Sequence, residues 1–429
     1  MKRARVAILA LGLLLFTIAL VASGCGNKKS SKGGGGGGGS KKSLAPSDAK
    51  NAKGTVTWCI GKDTTGAFAQ VIKMHNAQNN GVTAKLLELP TSADQQRTQQ
   101  IQRLRAKSSE CDVLGIDPIW MAEYVSQGWL YDVTKVIDKR KSEFIGSTVE
   151  SAKYNGKYWA IPFNTNAGFL YYRTDEISSP PKTWQQVYAD AKTKHLVYQG
   201  AQYEGLTVNF LELLYSAGGK AISDDGKKSE INSPEAHDVL QFMVNGVKDG
   251  AVPRAVSTYM EEESRRAFEA GQAGLERQWP YAYALGQQSP IKGKFAITPL
   301  PGWNDKPASG VIGGYNLAIS VYSKHPGAAL EFSNFITQPE PEKIMAEKAS
   351  LPPTLTATYD DPGVKKALPF AGELRKAIEQ AHPRPLSPVY TQISEAIYKN
   401  VYSALWGGVS VDSALKKADS QINQALATF

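Results

Sequence analysis

Gly54-Thr55-Val56-Thr57-Trp58-Cys59-Ile60, followed by Gly61-Lys62-Asp63-Thr64-Thr65-Gly66, decides how the chain is read. The first seven residues, rich in β-branched and aromatic side chains, predict a strand, and the next six form a polar, glycine-bounded loop. Phe68, Val71, Ile72 and His75 then recur at helical spacing. Val82–Leu89 predicts a second strand, and Ser92 with Gln95 makes a capping-box pattern for a helix that buries Ile101 and Leu104. Asp112-Val113-Leu114-Gly115-Ile116 predicts a short buried strand. Strands alternating with helices point to an α/β fold with a mostly parallel sheet and crossover helices. In a doubly wound order beginning 2-1-3 the first and third strands are neighbours, and these carry Cys59 and Cys111.

Further along, Tyr154 to Phe163 predicts a hairpin leading into a strand over Phe169 to Arg173. Thr183 with Gln186 caps one helix, and Ser233-Pro234-Glu235 opens another whose apolar face is Leu240, Met243, Val244 and Val247. Val311 to Val321 reads as a strand, and Ala414, Leu415, Ala418, Ile422 and Leu426 mark a final amphipathic helix. No internal repeat is visible. Roughly 385 residues beyond the N-terminal region exceed what one core sustains, so two domains are expected.

The N-terminal region sets the compartment. Lys2, Arg3 and Arg5 precede an apolar run from Val6 to Val21 and the small residues Ala22-Ser23-Gly24, so residues 1–24 are expected to be an export signal. The run is shorter than the roughly 20 apolar residues of a comfortable membrane span, with an uncleaved anchor helix as the alternative. Ala22-Ser23-Gly24-Cys25 resembles the bacterial lipobox, with Ala22 where leucine is usual. That resemblance implies acylation of Cys25 and a membrane anchor worth about 0.8 kcal/mol per buried CH₂. Residues 25–52, with the run Gly33 to Gly39 and several lysines, read as a flexible tether. Its lysines either favour an anionic membrane surface or solubilise the tether.

Nearly all of the formal charge of +9 lies in this region: residues 1–42 hold eight Lys or Arg and no acid, leaving 41 basic against 40 acidic residues beyond. A near-neutral globular part on an exported chain argues against nucleic acid as a partner. Cys59 and Cys111, an even pair in an oxidising compartment, are expected to be bonded. Two buried free thiols remain the alternative, because sequence does not place their Cβ atoms within about 4 Å.

Asp112-Val113-Leu114-Gly115-Ile116-Asp117-Pro118-Ile119-Trp120-Met121-Ala122-Glu123-Tyr124, then Gly128-Trp129-Leu130, is similar to a block of the family 1 extracellular solute-binding proteins of carbohydrate ABC importers. Tyr154 to Pro162 with Gly168 to Arg173, Thr183-Trp184, Gln278-Trp279-Pro280-Tyr281, Gly313 to Ser320 and His382-Pro383-Arg384-Pro385 continue in the family's order. The wording looks closest to the trehalose and maltose branch. The resemblance covers nearly the whole mature chain and implies a two-lobed periplasmic-binding-protein fold of type II with the ligand cleft between lobes. Residues 53–165 plus 306–354 would form the N-terminal lobe and 166–305 plus 355–429 the C-terminal lobe. The three crossings fall near Asn164 to Ala167, Gly302 to Pro307 and Pro352 to Thr356. A monomer is the family expectation.

A sugar has hydroxyl edges and an apolar C–H face, so its pocket needs an aromatic plate ringed by carboxylate, amide and guanidinium groups. The resemblance makes Trp279 the plate, with Tyr315 where relatives often place tryptophan. Asp117, Arg97 and Arg384 are the hydroxyl-recognising candidates, the last through a planar fork able to bind two neighbouring oxygens. Asn166 stands where relatives often carry Asp, and Asp63 and Thr65 follow the first strand, where an open sheet presents its contacts. Each has a structural alternative: Asp117 as a cap for the Pro118 helix, Arg97 as a solvated face, Asp63 as a turn residue.

The five histidines form no H-E-x-x-H spacing, and no G-x-S-x-G elbow or phosphate loop is present. No metal, cofactor or catalytic residue is expected. The expected function is capture of an oligosaccharide by hinge closure and its delivery to the importer's membrane subunits, from a lipid-anchored site outside the cytoplasmic membrane. A secreted carbohydrate-active enzyme with paired carboxylates and a surface sugar receptor are the competing readings.

Overall fold

Trp58 lies in the middle of strand β1 (Gly54–Gly61), packed against Phe68 at 4.7 Å, Phe163 at 5.3 Å and Phe332 at 5.9 Å between ring centroids. Val56, Trp58, Cys59 and Ile60 are all buried, so side chains on both faces of the strand are covered. This is how a near-continuous apolar run behaves at the centre of a helix-covered sheet.

The computed structural model describes residues 42–428. The expected signal segment, Cys25 and the glycine run lie outside the described residues. Among those described, no helix is long and apolar enough to cross a membrane.

The helix Ala67–Asn76 leads from β1 to β2 (Val82–Leu89), and the helix Ala93–Arg105 leads on to β3 (Val113–Ile116). Both β2 and β3 pair with β1 in parallel, giving the anticipated 2-1-3 order. Cys59 and Cys111 are disulfide-bonded there, with Cα atoms 5.7 Å apart. A short hairpin, β4 (Lys153–Tyr154) and β5 (Lys157–Tyr158), precedes β6 (Ile161–Asn166). The second sheet holds β7 (Phe169–Arg173), β8 (Leu196–Val197), β9 (Leu275–Gln278) and β10 (Phe295–Pro299) in the order 10-7-9-8. Strand β11 (Gly313–Ile319) returns to the first sheet, antiparallel to β3 and β6, completing the order 2-1-3-11-6. In each sheet a single strand, β11 or β7, runs against the rest.

The chain leaves the first sheet at Asn166 and enters the second at Phe169, and it returns between Pro299 and Gly313. Leu355 packs in the core of the first sheet, while Tyr359 packs in that of the second. The architecture is a two-lobed α/β fold.

Two local readings differ from expectation. Ser92 precedes the helix Ala93–Arg105, but its side chain makes no capping bond. The tether expected over residues 25–52 does not reach 52: Leu44 is buried, its N–H donates to Asp132 O over 2.9 Å, and Pro46–Ala49 forms a turn of 3₁₀ helix. The Asp132 N–H donates to Lys42 O, Lys42 Nζ donates to Val321 O, and Ala49 and Ala52 pack beside Leu44 against the first core, so the segment is docked there.

Gly314 carries a structural demand on the site. Its φ is +101°, and a Cβ there would lie 2.4 Å from the Asn164 carbonyl oxygen. The β6–β11 register shifts immediately after, between Tyr315 and Asn316, an irregularity of the kind that locally bends a strand.

Candidate functional site

Between the lobes lies a cavity of about 200 Å³. From the first lobe it is lined by the loop Gly61–Thr65, by Gln96, by Asp117 after β3, by Asn164 and Asn166 on β6, and by Gly313-Gly314-Tyr315. The second core contributes Tyr203 and Glu204 at the start of the helix Glu204–Ser216, Glu261 and Glu262 at the start of the helix Glu261–Glu269, and Trp279 and Tyr281 after β9. These positions follow strand ends and open helices, where backbone polar groups and variable loops meet in an α/β sheet.

Seven of the eight residues singled out from the sequence line this cavity: Asp63, Thr65, Asp117, Asn166, Trp279, Tyr315 and Arg384. Arg97 does not. Its guanidinium is bound to Glu123, with Nε and Nη2 donating to the carboxylate over 2.9 and 2.6 Å. The Nε–Nη2 edge of the fork is thus taken by a carboxylate outside the cavity lining.

Several lining groups are occupied with local structure. Asp63 accepts from the Thr65 N–H at 2.8 Å, the Thr65 hydroxyl at 2.6 Å and the Phe68 N–H at 2.9 Å, so it shapes the loop and ties down the first turn of the next helix. Asp117 accepts from the Ile119 N–H over 3.1 Å, which makes it the cap of the Pro118–Trp120 turn as well. The Tyr315 hydroxyl donates to Gln96 Oε1 over 3.0 Å.

Arg384 departs most from expectation. It is buried, with Nη1 donating to Glu204 Oε1 at 2.8 Å and Nη2 to Asp117 Oδ1 at 2.7 Å. The fork anticipated for two sugar oxygens is thus taken by two carboxylates, because a buried guanidinium requires counter-charge. Only its Nε lacks a partner among the described residues. Burial pushes the Glu204 carboxyl up to about 7, against the pull of Arg384 and of the Ser394 hydroxyl. Burial also raises Glu261, whereas Glu262, despite its own burial, is held low by Arg265 and the Tyr281 hydroxyl.

Several lining groups are left unpaired among the described residues, the Tyr203 hydroxyl and Arg384 Nε among them. The buried Oδ1 of Asn166 has no partner among the described residues. Trp279 is partly buried; the Arg277 guanidinium carbon sits 4.0 Å from its ring centroid, and the ring edge approaches Gly313 so closely that a Cβ there would be 3.0 Å away. An aromatic ring, an unpaired amide oxygen and several acceptors in one cleft can hold a polyhydroxylated molecule by its C–H face and its hydroxyls. Among the described residues no group of His, Cys, Asp and Glu is arranged to hold a metal.

Glu204, Glu261, Glu262, Tyr203 and Gln96 were not foreseen. Glu261-Glu262-Glu263 does signal a helix N-terminus through the macrodipole, but nothing local says that this end faces a cleft. Tyr281 lay within the quoted block beside Trp279.

A probable ABC transporter-binding protein of Deinococcus radiodurans is 38% identical over 371 residues, covering 81% of this chain and 87% of that one. The maltose-bound structure of T. maritima MalE3 superposes with a TM-score of 0.82 at 34% identity, covering 86% of this chain and 99% of that one. An ABC transporter solute-binding protein of Agrobacterium radiobacter, solved with ribitol, shares the fold with a TM-score of 0.78 at 21% identity over 87% of this chain and 99% of its own. Residues 61–343 match the family model of bacterial extracellular solute-binding proteins. With two lobes, a cleft between them and that match over most of its length, the chain belongs to the bacterial extracellular solute-binding protein family, a family of binding proteins and not of enzymes.

Proposed function

We propose that the protein captures a neutral oligosaccharide, a disaccharide such as trehalose or maltose, and delivers it to the membrane subunits of an ABC importer. The observation that carries this reading is Trp279, an aromatic ring that lines the cavity together with hydrogen-bonding groups, among them the Asn166 oxygen left unpaired among the described residues. The maltose-bound relative at 34% identity supports the ligand class. The lining charges support neutrality: Asp63, Asp117, Glu204, Glu261 and Glu262 outnumber Lys62 and Arg384, and Arg384 is already paired. A phosphodiester would enter against that field.

In this reading residues 53–165 plus 306–354 and residues 166–305 plus 355–429 are the two lobes. They close by hinge motion near Asn164 to Ala167, Gly302 to Pro307 and Pro352 to Thr356. A ligand that touches both sides favours the closed state by its differential affinity. The protein acts as a monomer, lipid-anchored through Cys25 at the outer face of the membrane.

Calorimetric titration of residues 41–429 with trehalose, maltose, sucrose and a maltodextrin, with the sugars recovered and analysed afterwards, tests the reading. One-to-one binding of an unchanged sugar is expected, with Trp279→Ala weakening it by about 2 kcal/mol or more, roughly 30-fold. Cleavage of the sugar, or no binding across the panel, would overturn it in favour of an enzyme or a surface receptor.

A further inference from the structure

Arg277 and Trp279 are two residues apart along and just beyond β9, so their side chains leave on the same face. The result is a stack, with the guanidinium carbon 4.0 Å from the indole centroid. Arg277 is itself held in plane. Its Nε donates to Glu212 Oε2 over 2.7 Å, Nη2 bonds the other oxygen of the same carboxylate, and Nη1 donates to Gln199 Oε1 over 3.1 Å. Arg277 and Glu212 are 1% and 0% exposed.

An ion pair this deeply buried is a poor investment for stability alone, since two well-packed apolar side chains of similar volume often do as well or better. What apolar chains would not supply is a flat, rigid cation against the back of an aromatic ring, attracted by its quadrupole and unable to tilt without breaking its bonds to Glu212. The pair also lies against the first inter-sheet connection: a Cβ on Gly168 would meet Glu212 Oε1 at 2.5 Å and Arg277 Nη2 at 2.6 Å. Glycine at 168 lets the backbone between β6 and β7 rest directly on the support of the ring.

We propose that Glu212 and Arg277 are positioning residues: the pair fixes the ring plane of Trp279 and thereby sets the affinity of the plate for its ligand. The ligand part rests on the sugar-binding reading above, while the positioning part does not.

The test uses residues 41–429 labelled with 5-fluorotryptophan, the Trp279 resonance being assigned by its loss in Trp279→Phe. The variants are the double substitution Glu212→Met with Arg277→Met, which removes both charges together, and Arg277→Lys, which keeps the charge and abolishes the flat stack. In both, the Trp279 ¹⁹F resonance is expected to shift or broaden without ligand while the other seven stay in place, and maltose and trehalose affinity to fall about tenfold or more. Arg277→Lys carries the measurement if the double variant does not fold. An unmoved Trp279 resonance in a folded variant, or wild-type affinity in Arg277→Lys, would overturn the proposal. A wild-type protein that binds none of the sugars, combined with a shifted resonance in the variants, would sink the sugar reading and leave the positioning role standing.

Discussion

Arg384 Nη2 donates to Asp117 Oδ1 over 2.7 Å, joining side chains 267 positions apart in the chain. The same guanidinium holds Glu204 at 2.8 Å. One buried cation therefore ties the segment after β3 of the first sheet to the helix Glu204–Ser216 of the second core.

Arg384→Met would strand two carboxylates in the cleft. Unfolding in urea is expected to show a loss of about 3–5 kcal/mol, the cost of leaving buried charge uncompensated. Adding Glu204→Gln to Arg384→Met should recover part of it, and a double variant no more stable than the single one would show that the charge is not the cause.

Glu276 gives the fold a pH dependence. Burial pushes its carboxyl up to about 8, although Ser264 and Gln278 donate to it, while an unfolded chain ionises it near the ordinary glutamate value. Between those two values the folded state holds the extra proton. Its contribution is fully present below the unfolded pKa and is lost as pH rises through the folded one, by up to about 1.4 kcal/mol per pH unit. Melting curves from pH 5 to 8.5 should therefore fall more steeply for the wild type than for Glu276→Gln. Parallel curves would mean that Glu276 is ionised in the folded protein.

Cys59 and Cys111 close a loop spanning a sequence separation of 52. The chain-entropy account puts the stabilisation at about 4 kcal/mol, and realised values run at about 2–4. Cys59→Ser with Cys111→Ser should lower the urea midpoint accordingly while sugar binding persists, because β1 and β3 are already hydrogen-bonded neighbours. Loss of binding in the folded variant would show that the bridge shapes the cleft.

Gly314→Ala would force a side chain into a left-handed backbone position, with backbone atoms of Asn164 and Thr165 at 2.4 and 2.7 Å. Rigid backbone gives way poorly, so a loss of about 1–3 kcal/mol is expected, with weaker ligand binding as Tyr315 is displaced. Thermal melts and titration together check this; a wild-type melting temperature would mean that the local backbone relaxes freely.

The legible parts of the molecule were the local and periodic ones. Val82–Leu89 and Phe169–Arg173 became strands with the expected bounds, because runs of β-branched and aromatic residues between turn residues carry their own preference. Thr183 and Ser233 cap their helices through their own side chains, as expected. Trp279 reached the cleft wall because its block places it just past the end of β9, and Asn166, between two of the quoted blocks, reached it as the last residue of β6.

The sequence by itself determined the alternation of strands and helices, the neighbouring first and third strands, and the residues that meet at the strand ends. Only the tertiary structure decided what those residues have left to offer. Arg97 met Glu123, Arg384 met Asp117 and Glu204, and Arg277 came to rest beneath Trp279 with its charge held by Glu212. The physical reason is common to all three: a charged group removed from water must find a partner, and that partner can lie hundreds of residues away, where no local pattern announces it.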